Sequence, residues 1–213
     1  MDHSFIWDLD GTILDSYDLI VRNLMETYSR FGAETDEEEL RRHVIRYSVS
    51  SYLEMMEKRT GLSFAEMKSF YSGINESRKL EIPLMKNAKE ILEFLASKGC
   101  RNFVYTHRSG SAEPVLINLG VRQYFEDLVT GLDHFKRKPD PEGLEHLIVK
   151  YGLDRAKTFY VGDRSIDMEC AANAGIGGIL FLQEGSVTEP VGTEKMIVKD
   201  LMEISTMIGP EGE

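Results

Sequence analysis

Short apolar runs alternate with longer amphipathic stretches along much of this chain. Five runs have the length and composition of buried strands: Phe5–Asp8, Asn102–Thr106, Leu128–Gly131, Thr158–Gly162 and Gly178–Leu182. Four stretches beside them repeat apolar residues at helical spacing: Ala88–Lys98, Ser111–Leu119, Pro141–Tyr151 and Ile166–Ala174. Strands that alternate with helices predict parallel βαβ units, so we expect an α/β fold with a parallel sheet covered on both faces.

The alternation stops between the first two strands, which lie about ninety residues apart. Helical patterns fill this gap: Asp15–Phe31, Asp36–Arg46, Ser51–Thr60 and Ser63–Leu80. We therefore predict a core of residues 1–16 and 83–213 and a helical insertion of residues 17–82 over the carboxyl end of the first strand. The alternative is extra helices packed on the sheet face. Near the end of the chain, Gln183–Lys195 predicts a polar loop, and Asp200–Ile208 a final helix.

Composition narrows the class of protein. The chain has 213 residues, 42% hydrophobic and 29% charged, as in an ordinary globular protein. Its 25 basic and 36 acidic residues give a net charge of −11, which disfavours nonspecific binding to nucleic acid. The sequence has neither a long apolar run nor a secretion signal, and its two cysteines lack CxxC spacing. We expect a cytoplasmic protein without a membrane or nucleic-acid partner.

Two acids at the end of the first strand carry the strongest chemical signal. Asp8 and Asp10 end the apolar run and are followed at once by Gly11 and Thr12. Ligands of open α/β sheets bind at the carboxyl ends of the strands. The pair could hold a hard metal ion, or divide the roles of nucleophile and proton carrier. The alternative is a surface turn that happens to carry two acids.

Further polar residues follow the other strands. Thr106 ends the second strand, Lys138 precedes Pro139 in a loop, and Asp163 and Asp167 follow the fourth strand. Parallel strands end at one edge of a sheet, so we expect a single pocket to gather these side chains. Each of three residues has a simpler alternative. Lys138 could be a solvated lysine, Thr106 a strand-end hydroxyl without a ligand, and Asp167 a first-turn acid favoured by the helix dipole.

Together these motifs resemble those of the haloacid dehalogenase-like hydrolase superfamily, and specifically its phosphatases with a helical cap. The matching motifs, in order, are Asp8-Leu-Asp-Gly-Thr, Thr106, Lys138-Pro, and Gly162-Asp-x-x-x-Asp167 followed by Ala171-Ala-x-x-Ala-Gly175. The resemblance covers nearly the whole chain. It implies a Rossmann-like, three-layer α/β/α core with a cap domain. It also implies a magnesium-dependent phosphatase, similar to phosphoglycolate phosphatases, that acts on a small phosphorylated metabolite.

The resemblance also implies a role for each motif. Asp8 would be the nucleophile that forms an aspartyl phosphate, and Asp10 the general acid and base. Thr106 and Lys138 would hold the phosphoryl oxygens. Magnesium would be held by Asp8, the backbone carbonyl of Asp10, Asp163 and Asp167, the last of these in an outer role. The residues expected to contact the substrate are Leu9, Thr106, His107, Lys138 and, from the cap, Arg46.

Some residues depart from the pattern of the family. His107, Arg108 and Arg164 replace residues that are usual in these phosphatases, and surface or structural roles stay open for them. A sugar-phosphate mutase of the beta-phosphoglucomutase type and a non-catalytic member that binds a phosphorylated ligand are the alternative functions. Asp10 disfavours dehalogenation, because dehalogenating relatives lack this acid. We expect a monomer or a homodimer.

Overall fold

The computed structural model describes residues 3–183 and 185–209. Its chain divides into two compact units. One, here called the sheet unit, comprises the residues up to Asp15 and those from Pro83 onward. The other, the helical unit, comprises Ser16–Ile82. The predicted role of the second unit as a cap stays a prediction.

The sheet unit is built on one parallel sheet of six strands. They are β1 (Ser4–Trp7), β2 (Arg101–Tyr105), β3 (Asp127–Val129), β4 (Thr158–Gly162), β5 (Gly177–Phe181) and β6 (Glu194–Val198). Their order across the sheet is β3-β2-β1-β4-β5-β6, so β1 and β4 lie at the centre. All pairs are parallel, and the carboxyl ends of all six strands therefore meet at one edge. This edge is where the sequence predicts the reactive residues.

Helices flank the sheet, which confirms the expected α/β class. Numbered along the whole chain, those of the sheet unit are α5 (Ala88–Ser97), α6 (Ala112–Asn118), α7 (Glu142–Tyr151) and α8 (Ser165–Asn173). Helices α7 and α8 bury Leu144 and Ala171 in a core cluster with Ile6 and Phe103 of the two strands β1 and β2. The 3₁₀ helix Leu201–Met207 buries Leu201 and Ile204.

The helical unit has its own hydrophobic core. Its helices are α1 (Tyr17–Arg30), α2 (Glu37–Arg46), α3 (Val49–Thr60) and α4 (Phe64–Ser77), followed by the 3₁₀ turn Lys79–Glu81. Side chains from all four helices form one cluster that includes Leu24, Leu40, Leu53 and Met67. The side chains of Asp36, Ser48 and Ser63 accept N–H bonds at the starts of α2, α3 and α4. Gly61 ends α3 with a φ of 75°.

The end of the chain differs from the sequence prediction. The predicted loop Gln183–Lys195 ends two residues earlier than expected, because a sixth strand, β6, begins at Glu194. This strand pairs with β5 on one side only, and its first four residues alternate between half-buried and exposed positions before the buried Val198. Its two charged residues, Glu194 and Lys195, are those that the sequence prediction assigned to the loop. The expected final helix is a 3₁₀ helix over Leu201–Met207. Among the described residues, no helix has both the length and the apolar character needed to cross a membrane.

Candidate active site

The turn after β1 fixes Asp8 at the edge of the sheet. Its backbone N–H donates to the carbonyl of Val161 on β4 at 2.9 Å, so the sheet still holds the main chain at this residue. The chain then turns sharply, and the carbonyl of Leu9 accepts N–H bonds from Thr12, Ile13 and Leu14. Gly11 has a φ of 79°, a conformation that favours glycine. Leu9 is fully buried, and its predicted contact with a substrate stays a prediction.

Lys138 links two of the predicted carboxylates. Its ammonium lies 3.0 Å from Oδ1 of Asp8 and 2.9 Å from Oδ1 of Asp167. All three side chains are buried, so the solvated-lysine alternative is wrong. The rings of Tyr105 and Tyr160 each have their centres 5.1 Å from the ammonium. Sequence reasoning missed these two tyrosines, although Tyr105 is the last residue of β2, directly before Thr106, and could have pointed to the first of them.

The charges in this cluster shift the pKa values of its members in different directions. Burial lowers the pKa of Lys138, but Asp167 and Asp8 more than offset this, and the pKa is raised. Burial raises the pKa of Asp8, and Lys138 offsets this only in part. Burial also acts to raise the pKa of Asp167, but attraction to Lys138 and Arg164 prevails and the pKa is lowered. Asp167 is therefore the stable counter-ion of Lys138. The ionised form of Asp8 is less well compensated, and a further cation nearby would stabilise it.

Asp167 is held through both carboxylate oxygens. Oδ1 accepts from the ammonium of Lys138 and lies 3.3 Å from the hydroxyl of Tyr160. Oδ2 accepts from the backbone N–H of Arg164 at 3.1 Å. Gly162 leaves the space for this side chain, since a Cβ at that position would lie 2.5 Å from Asp167. The side chain of Asp167 can therefore occupy this position only because residue 162 is a glycine.

Three of the predicted metal ligands lie together. Carboxylate oxygens of Asp8, Asp163 and Asp167 are within 4.8 Å of one another. The hydroxyl of Thr12 donates to Oδ1 of Asp163 at 3.4 Å. A set of hard oxygen donors fits Mg²⁺. Because Lys138 and the Arg164 amide hold Asp167, Asp8 and Asp163 are the carboxylates better suited to direct contact with an ion.

The loop after β2 brings Thr106 and His107 to the same edge. The hydroxyl of Thr106 accepts from the backbone N–H of Arg108 at 3.1 Å. Nε2 of His107 accepts from the backbone N–H of Lys138 at 3.0 Å, which places the proton of the neutral ring on Nδ1. Burial lowers the pKa of His107 to about 3, and the nearby charges of Lys138 and Arg137 add to this effect. The imidazole of His107 is therefore hydrogen-bonded to the backbone of Lys138, the candidate catalytic lysine.

Arg108 makes a contact that sequence reasoning missed. Its guanidinium forms a salt bridge with the carboxylate of Asp10, although the two residues are 98 positions apart. The side chain of Arg108 is only 5% exposed, so it is not a surface residue at the entry of a helix. The side chain of Asp10 is 28% exposed, against 4% for Asp8. Of the two acids, Asp10 is the one that reaches solvent.

The remaining predicted residue, Arg46, belongs to the helical unit. It is exposed at the end of α2, and its guanidinium lies 5.7 Å from the centre of the Tyr47 ring. Its contact with a substrate stays a prediction.

The fold and the site define an α/β protein that gathers buried carboxylates and a lysine, its candidate reactive groups, at the carboxyl edge of a parallel sheet. The chain belongs to the haloacid dehalogenase-like hydrolases, since the model of that family matches residues 5–181. This match confirms the family expected from the motifs.

Relatives and solved structures agree with this assignment. The chain is 30% identical to a phosphoglycolate phosphatase of Aquifex aeolicus over 184 residues, which cover 83% of each protein. It is 25% identical to the pyrophosphatase PpaX of Bacillus velezensis, with 87% of this chain and 86% of the relative covered. A crystal structure from Haemophilus somnus, described as a predicted phosphoglycolate phosphatase, superimposes with a TM-score of 0.85 at 21% identity, with 97% of this chain and 98% of the other covered.

Proposed function

We propose that this chain is a magnesium-dependent phosphatase that hydrolyses a small phosphorylated metabolite through an aspartyl phosphate on Asp8. Its class, a phosphatase among the haloacid dehalogenase-like hydrolases, follows from the family and the relatives. The observation that carries the mechanism is the buried cluster of Asp8, Lys138 and Asp167 at the carboxyl edge of the sheet. Relatives named for phosphoglycolate and for pyrophosphate support a small substrate.

Asp8 has the surroundings that a carboxylate nucleophile needs. It must be ionised to attack phosphorus, and burial alone would favour its neutral form. The ammonium of Lys138, 3.0 Å from Oδ1, opposes that effect. In its turn Lys138 is kept charged by Asp167, so the cluster supports an ionised nucleophile in a site shielded from water.

Magnesium fits the oxygen donors of the site. Asp8 and Asp163 would hold it, with the backbone carbonyl of Asp10, and Asp167 would stay in its outer role. When bound, the ion would supply positive charge that reduces the repulsion between the nucleophile and the phosphoryl group.

Lys138 and Thr106 supply donors for the phosphoryl oxygens. The ammonium of Lys138 carries three N–H groups, and its contacts with Asp8 and Asp167 use two of them. The hydroxyl of Thr106 accepts from Arg108, which leaves its own hydrogen to donate. Lys138 contacts Asp8, and Thr106 follows β2, the neighbour of β1, at the same edge of the sheet. Donors at this edge can stabilise the charge that develops as phosphorus is attacked.

Asp10 is suited to carry the proton. It lies two residues after Asp8, and its greater exposure supports exchange of protons with water. It would protonate the leaving alcohol and later accept a proton from the water that releases phosphate.

Release of inorganic phosphate from phosphoglycolate, pyrophosphate and sugar phosphates tests the proposal. We expect release that depends on Mg²⁺ and is lost in Asp8→Asn. Glu169→Gln, at an exposed position of α8 two residues from Asp167, is the matched control and should keep its activity. Conversion of a sugar phosphate into its isomer without release of phosphate would favour a mutase. No release from any substrate would refute the proposal.

A further inference from the structure

The contact between Arg108 and Asp10 has the geometry of a side-on pair. Nε of Arg108 donates to Oδ2 of Asp10 at 3.3 Å, and Nη2 contacts Oδ1. The third nitrogen, Nη1, donates to the hydroxyl of Ser111 at 3.2 Å. A guanidinium that engages both oxygens of a carboxylate restricts its rotation more than a single contact does.

Arg108 is itself held in place. Its backbone N–H donates to the hydroxyl of Thr106, and its carbonyl accepts from the N–H of Gly131 at 2.9 Å. The surface pair of Arg122 and Glu113 differs from this pair in the exposure of its arginine. The side chain of Arg122 is 31% exposed, against 5% for Arg108. A buried arginine on a fixed loop can set the position of its partner, whereas an exposed pair contributes little.

We propose that Arg108 is a positioning residue that holds the carboxylate of Asp10 where it exchanges a proton with the substrate. The inference rests on the proposed function. In the step concerned, an oxygen of Asp8 bonds to phosphorus while the bond from phosphorus to the leaving oxygen breaks. Asp10, whose two oxygens accept from Arg108 in this structure, first takes up a proton from water, to which its side chain is open. The leaving oxygen keeps the electron pair and takes that proton, and Asp10 returns to the carboxylate that Arg108 holds.

A positioning role predicts that the effect of Arg108 depends on the leaving group. An alkoxide is a poor leaving group and needs the proton of Asp10, whereas p-nitrophenolate is stable without one. Loss of a general acid typically costs about 100-fold or more. In Arg108→Gln we expect kcat/KM to fall about 100-fold for 2-hydroxyethyl phosphate and for phosphoglycolate, but less than about tenfold for p-nitrophenyl phosphate.

Two milder variants cover the case in which Arg108→Gln does not fold. Arg108→Lys keeps the charge but not the side-on geometry, and Ser111→Ala removes the hydroxyl that orients the guanidinium. Both should show the same dependence on the leaving group with a smaller loss. Arg122→Gln, an arginine of the surface pair, is the control and should leave all three substrates unaffected.

Each outcome decides the inference. Equal losses on the three substrates would mean a structural role and overturn it. A loss confined to phosphoglycolate would mean that Arg108 binds the substrate's carboxylate, which also overturns it. A crystal structure of Arg108→Gln with Asp10 unmoved would refute the inference alone, whereas wild-type protein that releases no phosphate would refute the proposed function.

Discussion

Removal of the ammonium at position 138 should destabilise the sheet unit strongly. Lys138→Met keeps much of the length of the side chain but leaves Asp8 and Asp167 buried without their shared cation. Breaking a buried ion pair in this way typically costs about 3–5 kcal/mol, because the remaining charge is desolvated without compensation. We expect a loss in this range in the presence of a chelator, which prevents divalent cations from replacing the ammonium.

Urea unfolding followed by tryptophan fluorescence measures this loss. Trp7 is the one tryptophan of the chain, is fully buried, and precedes Asp8 directly, so its fluorescence reports on the sheet beside the site. Lys136→Met is the matched control in the same loop. Its ammonium is exposed and pairs with Asp140 at 3.5 Å, so the loss should stay within about 0.5 kcal/mol.

A double-mutant cycle separates the ion pair from general damage to the loop. Asp167→Asn removes one of the two carboxylates that depend on Lys138. The double variant should be less destabilised than the sum of the two single variants, by more than about 1 kcal/mol. Additive losses, or a loss below about 1 kcal/mol in Lys138→Met, would refute the reasoning that the lysine compensates two buried charges.

Three further predictions concern the same unit. Native His107 has a pKa lowered to about 3, whereas in the unfolded chain this side chain binds a proton near pH 6.5. Between pH 7.5 and 5.5 the free energy of unfolding of the wild type should therefore fall by about 1 kcal/mol more than that of His107→Gln, as measured by urea unfolding. The exposed His134→Asn is the control. Millimolar Mg²⁺ should raise the melting temperature of wild type but not of Asp163→Asn, and equal shifts would place the ion elsewhere. Gly143→Ala would put a Cβ 2.4 Å from the Tyr105 ring and should lower the free energy of unfolding by about 1–3 kcal/mol. A variant as stable as the wild type in urea unfolding would contradict this prediction.

Much of the sheet could be predicted because its signals are local. The apolar run Thr158–Gly162 matches β4 residue for residue, and each of the other four predicted strands differs from the observed one by one or two residues at both ends. Strand β6 escaped detection because an edge strand lacks the continuous apolar run of a buried one. The strand ends in turn placed Asp8, Thr106 and Asp163 at one edge, which needs only the knowledge that the strands are parallel.

The contacts within the site could not be predicted in the same way. The pair of Arg108 and Asp10 joins two loops that are distant in sequence, and it depends on rotamers that no local pattern specifies. The same holds for the bond from the Lys138 amide to His107. The sequence contains the residue types, but only the packed loops decide which of them meet.

The strand order has a consequence for the timing of synthesis. Strand β1 leaves the ribosome first, yet its two neighbours in the sheet are β2 and β4, the second of which begins at Thr158. Asp8 therefore stays without the full pair of partners, Lys138 and Asp167, until synthesis has passed residue 167. The helices of residues 17–77, whose core needs only their own segment, can fold well before that point. A nascent chain would thus carry Asp8, the proposed nucleophile, long before it carries the buried cluster around it.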